Sequence, residues 1–468
     1  MQPSPSAPRP KRAASFGILA LFLVSTVAMA QGETAKPVSF SSDVVPILKR
    51  SCTGCHHPGK LKGDLDLTTF SSLQKGGKHG PILQSGVPGK SRVIEQISGP
   101  EPSMPAEGPP LSKEEVGLFE RWINQGAKDD TPAGSEDLVP KEPPVYRVAP
   151  VISALAFSPD GGTLAVPGYH EVLLHKSDGS ALVGRLLGES PRIDSIAFSP
   201  DGKQLAVSGG APAQFGSIQV WDSASRTLVK SLRISADSLF GVSFSPDGER
   251  IAFGCADKTV RVLRVADGKE LVRVDNHSDW VLGTTFTRDG KRLLSGSRDR
   301  AMKLIDGSSG QFIDDINKLI EGVLCLARHP TADQALYGGD LGGLRIYRMA
   351  ENQQRTAANN DVNMLREFER QPGPVRAVAF SPKGDLVAAA GGFPEVHLYK
   401  TSDGARAATL KGHEGAIFSL AFHPTQPEIL TGGYDGKVRR YKVDSGELIA
   451  SFFPVPLLSK ADQVAQTK

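Results

Sequence analysis

The strongest hydrophobic pattern in the chain is a unit that recurs seven times after residue 145. In each copy, an apolar residue stands five positions before a shared anchor position. Another apolar residue stands two positions before the anchor in every copy except the fourth, which has Thr284 there. Successive anchors lie 41 to 52 residues apart. They are Phe157, Phe198, Phe244, Phe286, Arg328, Phe380 and Phe422. Seven aligned copies predict a repeat architecture in which each unit is one supersecondary element.

Each unit predicts four short strands. The first strand ends at the anchor, where Ser-Pro-Asp-Gly, as at 199–202, forms a turn: proline presets φ and glycine takes the positive-φ position. The second strand is apolar, and the third alternates, as at 260–263. One such unit cannot bury both of its faces, whereas radial stacking buries them against neighbours. Residues 145–455 are therefore predicted to form an all-β propeller of seven blades.

The repeats resemble the WD-repeat propeller. The second copy has Trp221-Asp222, the fourth has His277, Ser295 and Asp299, and the seventh has Gly412-His413. The resemblance implies a hydrogen-bonded set of His, Ser or Thr, Asp and an aromatic residue inside a blade, although most copies lack the His or the terminal Trp. It also predicts one loop face that offers aromatic side chains to a protein partner, unless these pack between blades: Tyr169, His170, Phe240, Trp280, Phe393, Phe418 and Tyr434.

The main chemical motif is Cys52-Thr53-Gly54-Cys55-His56. Two thiols at this spacing reach both vinyl groups of one haem, and the adjacent His56 becomes the proximal iron ligand. The motif predicts one covalently bound haem c per chain. Two alternatives remain: a thioredoxin-like dithiol, which needs a βαβ pattern, and a zinc site, which needs four ligands. The sequence offers no such pattern and only three ligands nearby.

The segment around this motif, from residue 38 to about 128, resembles the planctomycete-type cytochrome c domain. The matching pieces are 52–56, 62–65, 76–80, 103–105 and 121–127. The resemblance implies that Met104 is the distal iron ligand, with His79, His57 or an open site as rivals. Ala106 stands where a second proline is commoner.

Helical patterns complete the prediction of a small all-α cytochrome c domain at 31–128. A short helix is expected at 43–49, ahead of the motif. Residues 113–124 carry apolar side chains on one face, with Ser112 and Glu115 placed as a capping box and Gly126 as the stop. Proline-rich residues 99–110 read as the loop that carries Met104.

The first 30 residues have the layout of a secretory signal peptide. A basic start precedes an apolar run from Phe16 to Val27, and Ala28-Met29-Ala30 is a small-x-small cleavage site. Cleavage after Ala30 predicts export to the periplasm, with no transmembrane segment in the mature chain. An uncleaved membrane anchor is the alternative. Residues 129–144 read as a linker, and 456–468 as a disordered tail.

Charge excludes one class of partner. The chain has 54 Lys and Arg residues against 51 Asp and Glu residues. Removal of the signal takes away Arg9, Lys11 and Arg12 and no acid, so the mature chain is formally neutral. A nucleic-acid binder needs a basic surplus against phosphate, so no nucleic-acid partner is predicted.

These features predict an electron-transfer cytochrome with a protein redox partner and a second protein partner on the propeller. No enzyme activity and no catalytic residue is predicted. Two other functions stay open: a propeller enzyme with a built-in cytochrome acceptor, and a haem-based sensor with an open iron site. Fold alone does not separate them, because propellers serve many functions.

Overall fold

The computed structural model describes residues 37–57, 60–130, 139–317, 320–351 and 361–458. The predicted signal peptide lies outside these ranges, as do positions 131–138 of the predicted linker and the predicted tail from residue 459. Within the described ranges, no helix has the length and apolar character needed to cross a bilayer.

The N-terminal region is built from short helices. A π-helical turn at Phe40–Val44 leads into α1, and single 3₁₀ turns occupy Lys62–Asp64 and Pro88–Lys90. Two short strands, His56–His57 and Lys60–Leu61, pair antiparallel. The α-helices are α1 (Val45–Ser51), α2 (Phe70–Lys75), α3 (Arg92–Ile97) and α4 (Lys113–Asn124).

Helix α4 anchors the core of this region. The predicted capping box is confirmed: the Ser112 side chain accepts from the Glu115 N–H, and the Glu115 side chain accepts from the Ser112 N–H. Trp122, fully buried on α4, stacks on Phe40 with ring centroids 5.2 Å apart, and Phe70 meets Phe40 edge-on at 5.1 Å. Packing of these three rings, two of them buried, holds the ends of the region together because large aromatic side chains dominate core energetics.

The repeats form seven four-stranded antiparallel sheets, which confirms the predicted propeller. All seven anchors end the innermost strand of their blade. Blades 1 to 4 comprise, in order, Ala156–Phe157, Thr163–Pro167, Glu171–Lys176 and Leu182–Leu187; Arg192–Phe198, Gln204–Ala211, Phe215–Asp222 and Leu228–Ser235; Leu239–Phe244, Arg250–Cys255, Val260–Arg264 and Glu270–Val274; Val281–Phe286, Arg292–Ser297, Met302–Asp306 and Phe312–Asp315. Blades 5 to 7 comprise Val323–Arg328, Gln334–Gly339, Leu344–Arg348 and Met364–Glu367; Val375–Phe380, Leu386–Gly391, Val396–Lys400 and Arg406–Leu410; Ile417–Phe422, Glu428–Gly433, Val438–Lys442 and Leu448–Phe452.

The ring closes between blades 7 and 1. The Ile152 N–H donates to the Gly433 carbonyl at 3.1 Å, and Ile152 shares one apolar cluster with Leu430 and Val438. Leu457, within the segment predicted as a disordered tail, forms a parallel bridge with Tyr146. Every neighbouring pair of blades shares an apolar cluster, so the sheets bury each other's faces around the whole ring.

A β-bulge recurs near the start of the innermost strands. In blades 2, 4, 5, 6 and 7 the strand register shifts at the residue four positions before the anchor, as at Leu282 between Val281 and Gly283. A bulge re-aims its side chain, and here the side chain joins the wall of the central cavity. We call the seven residues four positions before the anchors the mouth ring: Ser153, Asp194, Phe240, Leu282, Leu324, Arg376 and Phe418.

Parts of the predicted hydrogen-bonded set form in the two blades that have the histidine. His277 Nδ1 lies 2.8 Å from an Asp299 carboxylate oxygen, and its Nε2 lies 2.8 Å from Ser295 Oγ. His413 Nε2 lies 2.6 Å from Thr431 Oγ1. In other blades, other types of side chain form hydrogen bonds inside the blade. They include Glu189, Glu321 and Gln371, all buried and hydrogen-bonded.

For Phe393 the alternative of burial within the propeller holds, since its ring is buried against His397. One expectation about the propeller surface is wrong. The sequence at 209–217 indicates an enlarged middle loop in blade 2, but these residues extend the two middle strands, with Ala211 paired with Phe215. The Phe215 ring is buried beneath the Arg233 guanidinium, which makes the extended pairing favourable. The polar insertion expected at 350–361 lies mostly outside the described residues.

Candidate haem site

The Cys-x-x-Cys-His motif follows the C-terminal end of α1. The Cys52 N–H donates to the Leu48 carbonyl as the last bond of the helix, and the N–H groups of Cys55 and His56 then donate to the Cys52 carbonyl, each at 3.1 Å. The motif is thus one compact turn directly after α1, the helix that corresponds to the one predicted at 43–49. This turn brings Cys52, Cys55 and His56 to the same wall of a cavity.

The cavity has a volume of about 500 Å³, within the range of roughly 300–1,000 Å³ typical of cofactor pockets. Apart from the motif, its walls include Met104 and His79 and a set of apolar side chains. The apolar set is Leu48, Leu65, Leu67, Ile82, Val93, Ile97 and Phe119. A covalently attached haem requires two thiols, an imidazole and a second ligand such as a thioether in a largely apolar cleft, so the residues fit the implied cofactor.

The His56 ring is held by the backbone. Its Nδ1 lies 2.9 Å from the Lys62 carbonyl oxygen, so Nδ1 carries the proton that is donated and Nε2 stays available as a ligand. Burial lowers the pKa of His56, against the opposing effect of this hydrogen bond. A neutral imidazole is the form that binds a metal.

The Lys62 carbonyl is in turn positioned by two glycines. Gly77 packs so closely on the 62–65 turn that a Cβ at position 77 would lie 2.4 Å from the Gly63 carbonyl oxygen. The Lys78 N–H donates to that same oxygen at 2.7 Å. The motif pieces at 62–65 and 76–80 were visible in the sequence, but their role as a backbone clamp on His56 was not.

Met104 enters the cavity from the loop after α3. Its N–H donates to the Gln96 carbonyl at 2.9 Å, and the Ser103 hydroxyl donates to the Gln96 side-chain oxygen at 2.6 Å. Gln96 therefore ties the loop to α3, a role that no sequence signal indicated. His79 also lines the cavity, while the side chain of the other rival, His57, lies outside the described residues.

The environment of Cys52 differs from that of a redox dithiol. Burial raises its pKa to about 11, against the opposing charge of Arg50. The attacking thiol of a thioredoxin-like pair has a lowered pKa, because the thiolate is the reactive form. For the zinc alternative, no cluster of three or more His, Cys, Asp or Glu side chains suited to a metal ion occurs in the part of the chain that the structure describes.

Known families match both halves of this arrangement. Residues 52–108 match the family described as "Planctomycete cytochrome C". Residues 226–263, 268–306 and 404–442 match "WD domain, G-beta repeat".

Curated relatives are distant and matched over short stretches. Eukaryotic translation initiation factor 3 subunit I of Caenorhabditis elegans is 30% identical over 118 residues, which cover 22% of this chain and 36% of that protein. Striatin-4 of Homo sapiens is 27% identical over 132 residues, which cover 25% of this chain and 17% of that protein. This chain thus spans about a third or less of the length of these relatives. The matches and the seven blades together support a haem-binding propeller protein, in which a cytochrome c-like region similar to the planctomycete family is joined to a seven-bladed propeller with WD40 repeats.

Proposed function

We propose that this protein is an exported, periplasmic c-type cytochrome that carries electrons on one haem c and docks a protein partner on its propeller. The observation that carries the proposal is the convergence of Cys52, Cys55, His56 and Met104 on one apolar cavity. When bound, the haem supplies reversible one-electron chemistry at its iron. We propose no catalytic role for either region.

The residues around the cavity have separable tasks. Cys52 and Cys55 would attach the porphyrin, and His56 and Met104 would hold its iron. The apolar walls exclude water and so favour the less charged, reduced state of the iron. A thioether ligand acts in the same direction, since Met/His ligation raises the reduction potential.

The first test is cofactor content. The purified mature protein should give a haem c spectrum in reduced pyridine and an intact mass of the chain from Gln31 plus one haem. The double variant Cys52→Ser, Cys55→Ser should carry no covalent haem, while the control Cys325→Ser should keep it. Unmodified thiols at both positions in the wild type would contradict the proposal. Mass beyond one haem would instead favour a propeller enzyme with a second cofactor.

The second test concerns the distal ligand. The oxidised protein should show the weak band of methionine–iron bonding at the near-infrared edge of the visible spectrum. Met104→Ala should abolish that band, and His79→Ala should leave it intact. Absence of the band in the wild type would exclude Met104, and tight binding of carbon monoxide would indicate the open site of a sensor.

Export has its own test. Expressed from its full gene in a bacterium with periplasmic cytochrome maturation, the protein should appear in the periplasmic fraction with Gln31 at its N-terminus. Retention in the membrane with residues 1–30 intact would favour the anchor alternative.

A further inference from the structure

The mouth ring contains one run of three apolar side chains, with a charged residue on each side of it, Asp194 and Arg376. Blades 3, 4 and 5 contribute Phe240, Leu282 and Leu324, which place three large apolar side chains next to one another on the cavity wall. Trp280 stacks on Phe240, with ring centroids 5.7 Å apart, and keeps 40% of its surface exposed. An exposed tryptophan that is held by a ring beneath it loses little freedom on binding, which is typical of an anchor at an interface.

Two arginines are held in place beside these rings. The Arg298 guanidinium lies 4.9 Å from the Trp280 ring centroid, and that of Arg376 lies 5.8 Å from the Phe418 ring. Contact with a ring orients the guanidinium group and leaves its N–H groups available as hydrogen-bond donors. Arg376 has no ion-pair partner among the described residues, and Arg298 has one loose contact, with Asp279 at 3.6 Å. Both guanidiniums thus keep donors for a ligand.

Two aspartates also lie in the cavity wall. Asp194 is only 7% exposed and forms an ion pair with Arg192 at 2.8 Å. Asp340 accepts a hydrogen bond from the Gly322 N–H at 3.0 Å, which leaves its negative charge in place. The wall carries three arginines in all, including Arg298 and Arg376, against these two aspartates, so its net charge is one positive.

We propose that the mouth of the propeller channel binds an extended protein segment that presents a large apolar side chain flanked by carboxylates. The apolar side chain would occupy the sector of Phe240, Leu282 and Leu324, and the carboxylates would pair with Arg298 and Arg376. A cavity of about 950 Å³ has room for several residues of such a segment. The proposal rests on the proposed function, since it names the chemistry of the partner that the propeller docks.

The test is selection from a random dodecapeptide library displayed on phage, against the immobilised full-length haem protein. Enriched peptides should combine Phe, Trp or Leu with neighbouring Asp or Glu. Their affinity should fall about tenfold or more for Trp280→Ala and for Arg376→Glu, as expected for interface anchors. Two matched controls should leave affinity unchanged: Tyr434→Ala, an exposed aromatic outside the cavity wall, and Lys203→Glu, at the opposite end of the inner strand of blade 2.

Each other outcome overturns the proposal. Enrichment of basic peptides, failure to enrich any peptide, or selected peptides that bind equally well to both mouth variants would each contradict it. Every variant is first checked for the wild-type haem spectrum and unfolding midpoint, so that a folding defect is not mistaken for lost binding. If the spectrum is that of haem c and the selection fails, the electron-transfer proposal stands and only this assignment is lost.

Discussion

Gly77→Ala should weaken the backbone clamp on His56. A Cβ at position 77 would lie 2.4 Å from the Gly63 carbonyl oxygen and 3.0 Å from Leu65 Cβ. A normal C···O contact is about 3.3 Å or more, so the two segments must separate by roughly 0.9 Å. The atoms that would have to move are backbone, next to the Lys62 carbonyl that accepts from His56 Nδ1.

The expected cost has two parts. Overpacking of a tight contact costs about 1–3 kcal/mol, and loss of the Lys78–Gly63 hydrogen bond costs about 0.5–1.5 kcal/mol. Together they predict a loss of roughly 1.5–4.5 kcal/mol in the free energy of unfolding of the haem region. Because the clamp also orients the imidazole, we expect the reduction potential to shift as well.

The assay is denaturant unfolding of the haem protein, followed at the haem absorption band, together with a potentiometric titration. Gly89→Ala is the matched control, since no atom lies within 4 Å of a Cβ at that position and its φ is not positive. This expectation is refuted if the free energy of unfolding of Gly77→Ala lies within about 0.5 kcal/mol of that of the control and its reduction potential equals that of the wild type. Close packing of residue 77 would then not hold His56 in place.

Three further predictions concern the propeller. Burial raises the pKa of Asp194 to about 6, so its ionisation above that pH destabilises the fold, and Asp194→Asn should raise the unfolding midpoint at pH 8 but not at pH 4. Burial and the charge of Arg439 lower the pKa of His413 to about 4, so the free energy of unfolding should fall as the pH drops from about 6.5 to 4. His413→Gln should reduce this pH dependence in denaturant unfolding. Phe253→Ala should cost about 3–5 kcal/mol in denaturant unfolding, because this fully buried ring packs between blades 2 and 3, whereas half-exposed Phe312→Ala should cost about 1 kcal/mol or less.

The anchors of the repeats were predictable because they are local. A turn sequence and two apolar positions at fixed spacing specify where an inner strand ends, and all seven ends fall at the predicted residues, including Arg328. The capping box of Ser112 and Glu115 was predictable for the same reason, since both partners lie within one helical turn. Glu321 was missed as a blade hydrogen-bonder because it is another residue type and lies two positions before its strand, whereas His277 and His413 lie four positions before theirs.

Other features depended on contacts between distant segments. The sequence left open whether Phe393 is exposed or buried, and contact with His397 in the folded blade buries it. Residues 209–217 read as a loop, yet burial of Phe215 under Arg233 extends the strands. The sequence did not indicate the role of Gln96. Its side chain accepts a hydrogen bond from Ser103, in the loop that carries Met104, and the two residues meet only when the chain folds.

By itself, the sequence determined the number of blades, the strand ends and the cysteine–histidine turn, because each depends on residues a few positions apart. Only the tertiary structure decided which side chains share a wall: Met104 and His79 with His56 in one cavity, and Trp280 with Arg298 and Phe240 at the mouth. The physical reason is that such groups meet through packing and strand bulges, which depend on how the whole chain buries its apolar surface.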